Sequence, residues 1–125
     1  MTRHIIRTPD APNSALFSQA IKVGSTIYMS GIAGIDPGTN QLAGLTIQEQ
    51  TRQALVNCEN ILRAAGAELG NVVEVLVLLA RPNDFAGLNE LIGTPDMLAL
   101  GKRYDAPTRP SGSKGGTRRL SRKVR

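Results

Sequence analysis

An α+β fold, one sheet with helices packed on a face, is what the order of patterns in this sequence predicts. Two β-like runs flank a Gly-Ser pair, a capped amphipathic segment follows, and an aliphatic run then leads into a second, shorter helical segment. With 125 residues the chain has room for one domain with a modest core. We expect that domain over residues 1–110 and a basic, disordered tail over 111–125.

The elements can be justified in order. His4 to Arg7 reads as a short first strand, ended by Pro9 and Pro12. Ser18 to Val23 and Thr26 to Ser30 are β-like runs joined by Gly24-Ser25. A two-residue Gly-X link suits a type II′ hairpin, because glycine takes positive φ without a Cβ clash. On the second run Thr26, Tyr28 and Ser30 point one way and Ile27 and Met29 the other. Asp36-Pro37-Gly38-Thr39-Asn40 is a turn cluster closing that region.

Thr46 to Gly66 is the best-defined element. Thr46 and Glu49 have the spacing of a capping box, in which each side chain satisfies the other's backbone N–H. Ile47, Thr51, Ala54, Leu55, Cys58, Ile61, Leu62 and Ala65 recur at helical spacing on one face. Gly66 stands where a left-handed cap would stop the helix. Val72 to Ala80 is a nearly continuous aliphatic run, short and rich in Val, and predicts a buried strand. Asn83 offers an N-cap to a short helix with Phe85, Leu88 and Ile92 on one face.

Composition excludes several classes. No apolar stretch approaches the roughly 18 to 20 residues of a membrane span. The N-terminal MTRHIIRTPDAP has no continuous apolar stretch before its proline, so no signal peptide is expected. A single cysteine excludes an intrachain disulfide and fits a reducing cytoplasm. The formal charge of +5 conceals an asymmetry. Residues 1–101 carry six Lys/Arg against nine Asp/Glu, whereas 102–125 carry nine against one. Basicity belongs to the tail alone. Ser111 to Arg125 offers only Leu120 and Val124 as larger apolar residues, too little burial to offset the entropy of ordering.

Candidate chemistry is sparse. His4 is the one histidine and has no metal-type partner near it in sequence. Cys58 lies on the apolar face of the long helix and behaves there as a small hydrophobe. Ser111-Gly-Ser-Lys-Gly-Gly lacks the spacing and the preceding strand of a phosphate loop. Nucleophilic triads, zinc spacing and dinucleotide loops are absent from the sequence. What is left is a set of polar groups at element ends: Ser30-Gly31, Asn89, and Arg109 in Ala-Pro-Thr-Arg. An arginine can grip a small carboxylate bidentately, and a glycine lets a ligand approach the backbone. The plainer alternative is a serine on a polar strand face, a capping asparagine and a solvated tail arginine.

The words FSQAI, YMSGI, DPGTNQL, QTRQALVNCENILRAAGA and NVVEVLVLLARPNDFAGLNE, in that order, resemble the Rid/YjgF family of reactive-intermediate (enamine/imine) deaminases. The resemblance covers about residues 9–90. It implies a chorismate-mutase-like α+β fold, a sheet with two helices on one face, assembled as a homotrimer with ligand sites between subunits. It further implies hydrolysis of 2-iminobutanoate or 2-iminopropanoate to the 2-oxo acid and ammonia, without cofactor or metal. Such imines hydrolyse slowly in water, so a protein need only hold the carboxylate and present a water.

Carried over residue by residue, the resemblance makes Arg109 and Asn89 the catalytic pair. Phe17, Ser30, Gly31, Asn89 and Arg109 then contact substrate. Ser30 and Gly31 match the family's SG pair, and Asn89 matches the Asn of its vNE motif. Phe17 stands where the family usually has Tyr, keeping the ring without the hydroxyl. Pro107-Thr108-Arg109 is the candidate for the carboxylate-binding P-x-R motif, although its spacing from Asn89 is a few residues longer than the family pattern. Beyond Arg109 the family continues with a strand, an LP turn and a strand ending near IEIE, with a Glu that positions the water. Here PSGSKGGTRRLSRKVR stands in its place. A divergent extension and a shifted reading frame, deletion or altered splice after about Glu90 both account for this, and the abrupt loss of pattern favours the second.

Three functions follow. The first is the imine deaminase, acting on a small 2-imino acid and involving no membrane. The second is a non-catalytic carboxylate-binding or regulatory protein of the same fold, suggested by Phe17 and the missing Glu. The third is weak RNA binding through the basic tail, which lacks interleaved aromatics and so offers only salt-sensitive phosphate contacts. A solvated basic end is preferred to that third reading.

Overall fold

A computed structural model describes residues 2–92 and 117–121, with 92 and 117–121 described as backbone only. It divides into two compact units, Met1–Leu69 and Gly70–Arg125. The class is α+β: seven short strands and two α-helices among the described residues.

The first unit opens with β1 (Arg3–Ile6), β2 (Ala20–Val23) and β3 (Thr26–Met29), an antiparallel sheet in that order. The hairpin forms as its sequence requires. Val23 pairs with Thr26 across Gly24-Ser25, with Gly24 at φ +58 and Ser25 outside the positive-φ set. Positive φ at the first turn position alone is the type II′ pattern rather than I′.

The hydrogen-bonded register sorts the side chains. Ala20, Met29 and Ile27 face the core, where Ala11, Ala20 and Ile61 form a buried cluster with Ile6, Ile27, Met29 and Ile32 packed around it. The other face is less polar than its sequence suggests. Ile5, Ile21 and Tyr28 make one cross-strand row there, and Ile5 and Tyr28 are exposed.

The turn cluster is flanked by a small ribbon absent from the sequence reading, β4 (Ile35–Asp36) with β5 (Gln41–Leu42). Asn40 at φ 59 and the Asp36 carboxylate, which accepts from Gly38 N at 2.7 Å, fix its tip. Asx-type bonding and tolerance of left-handed φ are why Asp and Asn occupy such turns.

Helix α1 spans Ile47–Ala64. Its N-terminus carries the full capping box: Thr46 Oγ1 accepts from Glu49 N at 3.1 Å, and Glu49 Oε2 accepts from Thr46 N at 3.1 Å. The same carboxylate also accepts from Leu45 N. These hydrogen bonds hold the Glu49 carboxyl below its ordinary pKa. Its C-terminus is a Schellman motif: Gly66, at φ +80, donates to Arg63 O, and Ala67 N donates to Leu62 O at 2.8 Å. From β2, Lys22 Nζ reaches Ala65 O at 3.3 Å, placing a cation at the negative end of the helix dipole. Ile61, fully buried, contributes roughly 1.5–3 kcal/mol relative to exposure.

The second unit holds β6 (Glu74–Leu78), α2 (Asp84–Ile92) and β7 (Thr117–Ser121). Helix α2 follows Asn83, and Leu88 and Leu91 on it are buried. Strand β6 corrects the expectation of a strand covered on both faces. Val75 and Val77 are half-buried, but Leu76 is 56% and Leu78 72% exposed. In a two-stranded sheet the side chains alternate, and among the described residues the face that carries Leu76 and Leu78 is exposed.

Within the basic tail, Thr117–Ser121 is described as strand β7, and the rest of 111–125 lies outside the described residues. Thr117–Ser121 pairs antiparallel with β6 from Leu78↔Thr117 to Glu74↔Ser121. The ladder supplies what composition does not, since β6 offers a row of backbone donors and acceptors that must be satisfied somewhere. The described strands pair as β1-β2-β3, β4-β5 and β6-β7.

Candidate functional site

The residues expected to bind ligand in the first unit come together through the hairpin. Ala20 pairs with Met29, so the next residue out on each strand is matched too, and Ser30 N donates to Gln19 O at 3.1 Å. One step further, Ser30 Oγ donates to Ser18 O at 2.5 Å. Phe17-Ser18 and Ser30-Gly31 are thereby held side by side. With its proton committed to that carbonyl, the Ser30 hydroxyl presents lone pairs outward and acts as an acceptor.

Both flanks of this pair are open. Phe17 is 54% exposed, and a Cβ built on Gly31 meets nothing within 4 Å. Nothing in the packing of the described residues therefore requires glycine at 31.

Two buried amides hold the segments that carry these residues. Gln19 Nε2 donates to the carbonyls of Thr8, Ala11 and Pro12 at 2.9–3.1 Å, and its Oε1 accepts from Thr8 N at 2.7 Å. Asn57, wholly buried on α1, donates to Ala33 O at 3.1 Å and Ile35 O at 2.8 Å, and accepts from Gln53 Nε2. Gly34 between those carbonyls lies so close to α1 that an added Cβ would meet Gln50 O at 2.0 Å. The chain leaving Ser30-Gly31 is thus clamped to the helix. Sequence reasoning missed both amides. Asn57 did leave a signal, since it stands three residues after Ala54 and four before Ile61, on the row that faces inward.

Asn89 lies half-buried on α2 in the second unit. Arg109, with Pro107 and Thr108, lies outside the described residues. His4 is exposed on β1. Burial pushes the Cys58 thiol up to about 11, so at neutral pH it is protonated and a poor nucleophile. Among the described residues no group of three His, Cys, Asp or Glu is placed to hold a metal ion. No helix among them is long and apolar enough to cross a membrane. A shallow, open concavity runs along α1 beside Gln48, Glu49, Arg52 and Val56, away from the Phe17–Ser30 pair in sequence and in lining.

The family model described as endoribonuclease L-PSP matches residues 8–111. The chain belongs to this family, also called Rid/YjgF. The match runs past the segment that carries the recognisable words and includes Arg109.

Among relatives of this L-PSP chain, the mouse 2-iminobutanoate/2-iminopropanoate deaminase is 42% identical over 115 residues, 90% of this chain and 85% of the relative. The human protein of the same name is 45% identical over 92 residues, 73% of this chain and 67% of its own. Of solved structures, RidA from an Antarctic Psychrobacter matches with TM-score 0.70 and 34% identity over 94% of this chain and 98% of that one. Escherichia coli TdcF with bound serine matches with TM-score 0.64 and 31% identity, over 70% and 69% of the two chains.

Proposed function

We propose that this L-PSP family chain hydrolyses small 2-imino acids, 2-iminobutanoate and 2-iminopropanoate, to 2-oxo acids and ammonia. The single observation that supports this best is the 42% identity over 115 residues to a deaminase of that name, with the Ser30–Ser18 junction formed in the first unit. A structural relative that holds serine favours a ligand with a carboxylate and an adjacent nitrogen.

In this reading the Arg109 guanidinium holds the substrate carboxylate bidentately. Ser30, Gly31 and the Phe17 ring line the pocket, and Asn89 orients the imine and the water. Water adds to the C=N carbon, the nitrogen takes up a proton, and the C–N bond of the resulting amino alcohol breaks to release ammonia and leave the 2-oxo acid. Positioning and desolvation carry such a reaction without a covalent intermediate. The same reading has the protein cytoplasmic and homotrimeric, with sites between copies. Exposed Ile5, Tyr28, Leu76 and Leu78 are the surface it would cover.

A threonine dehydratase supplying the imine in a coupled assay, with release of 2-oxobutanoate followed, tests the activity. The protein accelerates release above the spontaneous rate, and Arg109→Ala lowers kcat/KM about 10- to 100-fold, the value of a charge-assisted contact. A rate equal to the spontaneous one sinks the proposal.

A second reading has its own support: Phe17 lacks the hydroxyl of the family's usual Tyr, and the family's water-positioning Glu has no counterpart in 110–125. That favours binding of a short carboxylate without turnover. Calorimetric titration with 2-oxobutanoate, showing heat where the coupled assay shows no gain, would select it.

A further inference from the structure

Ser121 is the one hydroxyl residue of the chain preceded by two consecutive arginines, Arg118-Arg119-Leu120-Ser121. It closes β7, and its Cα partner in the antiparallel register is Glu74 of β6. We propose that Ser121 is the acceptor of an arginine-directed serine/threonine kinase, and that its phosphorylation releases β7 from β6.

The recognition chemistry lies in the two guanidiniums. Arginine pairs with carboxylates through a planar fork of donors that lysine lacks. Two arginines set two and three residues before a serine therefore suit an acidic cleft that reads an extended peptide. The backbone of strand β7 is already extended, the form such a cleft reads. No other Ser or Thr of the sequence carries that pair. Ser111 and Ser113 follow Arg109 alone, and Thr117 follows a single lysine at 114.

Access is supplied by the weakness of the pairing. Among the described residues β7 is bonded to β6 alone, and an isolated two-stranded pair is marginal in water. Local opening therefore delivers the segment to a kinase. The γ-phosphoryl group of a nucleoside triphosphate then moves to Ser121 Oγ. A new O–P bond forms, the bond to the leaving diphosphate breaks, and the hydroxyl proton passes to the kinase's base. The product carries about −1.5 to −2 charges at the register position facing Glu74. Like charges directly opposite one another destabilise a ladder, so the modified strand closes less readily than the free one.

The test treats the full chain with ATP and the catalytic subunit of cAMP-dependent protein kinase. Phosphate is located by tandem mass spectrometry, and amide hydrogen exchange is followed over residues 74–78. The expected result is one phosphate on Ser121, none in Ser121→Ala, and slow incorporation in the Arg118→Ala/Arg119→Ala variant. Exchange in 74–78 rises about fivefold in the phosphorylated chain, as loss of a like-charge-sensitive ladder implies, and stays unchanged in kinase-treated Ser121→Ala. Absence of phosphate from Ser121, or equal labelling of Ser121→Ala, overturns the site. Phosphate on Ser121 with unchanged exchange in 74–78 overturns the release.

Discussion

In the unit that ends at Leu69, buried amides do the joining. Gln19 gathers four backbone groups of the 8–12 loop, and Asn57 ties α1 to the carbonyls on either side of Gly34. In the unit that begins at Gly70, the described strands form one pair, β6 with β7, and aliphatic side chains of β6 are exposed. The first region satisfies its irregular backbone from within, which is how a loop acquires one conformation. The second has regular backbone bonding but leaves Val73, Leu76 and Leu78 exposed. Directional bonds from buried amides therefore fix the segment that bears Phe17 and Ser30, whereas β6, in the same unit as the Asn89 helix, carries exposed aliphatic side chains.

That contrast can be broken most forcefully at Asn57. Asn57→Ala removes the hydrogen bonds of a wholly buried amide to Ala33 O, Ile35 O and Gln53, and we expect a loss of about 2–4 kcal/mol in unfolding free energy, measured by urea denaturation. A loss below about 0.5 kcal/mol would show that the amide clamp is ornamental.

A smaller effect, about 1 kcal/mol, is expected from Thr46→Ala, which removes one half of the capping box. The Glu49 half carries a pH signature. Its carboxyl is held below its ordinary pKa in the folded chain, so its contribution is present above the unfolded value and disappears as pH falls through the lower, folded one. Glu49→Gln should therefore flatten the acid limb of the stability profile, followed by urea denaturation at several pH values.

The smallest effect on a dilute, monomeric sample is expected at Leu78→Lys. Replacing a side chain that is 72% exposed changes stability by no more than about 0.5 kcal/mol. A loss that grows with protein concentration would show that another copy covers Leu78, and would sharpen the contrast into one between a self-sufficient region and an assembly surface.

What the sequence made legible was local. Thr46 with Glu49, Gly66, and Gly24-Ser25 each announce their structure because the responsible bonds span two to five residues. Half of the candidate site shared that advantage, since hairpin register alone brings FSQ beside MSG. The amides escaped because Gln19 and Asn57 have the composition of surface residues and find their partners across long separations. Strand β7 escaped for a related reason. TRRLS has no apolar period of its own, and its pairing is conferred by a partner that lies far earlier in the chain. The aliphatic run at 72–80 was read correctly as strand, but period alone does not tell whether its second face is covered by the same chain.

The late origin of β7 sets an order on the ribosome. Strand β6 is translated well before Thr117–Ser121 emerges, so for that interval it lacks the strand that pairs with it among the described residues. Nascent chains on neighbouring ribosomes then present identical edges to one another, the arrangement most prone to mispairing. Slow elongation through the intervening segment lengthens that exposure, and a chaperone that masks short extended aliphatic stretches shortens it.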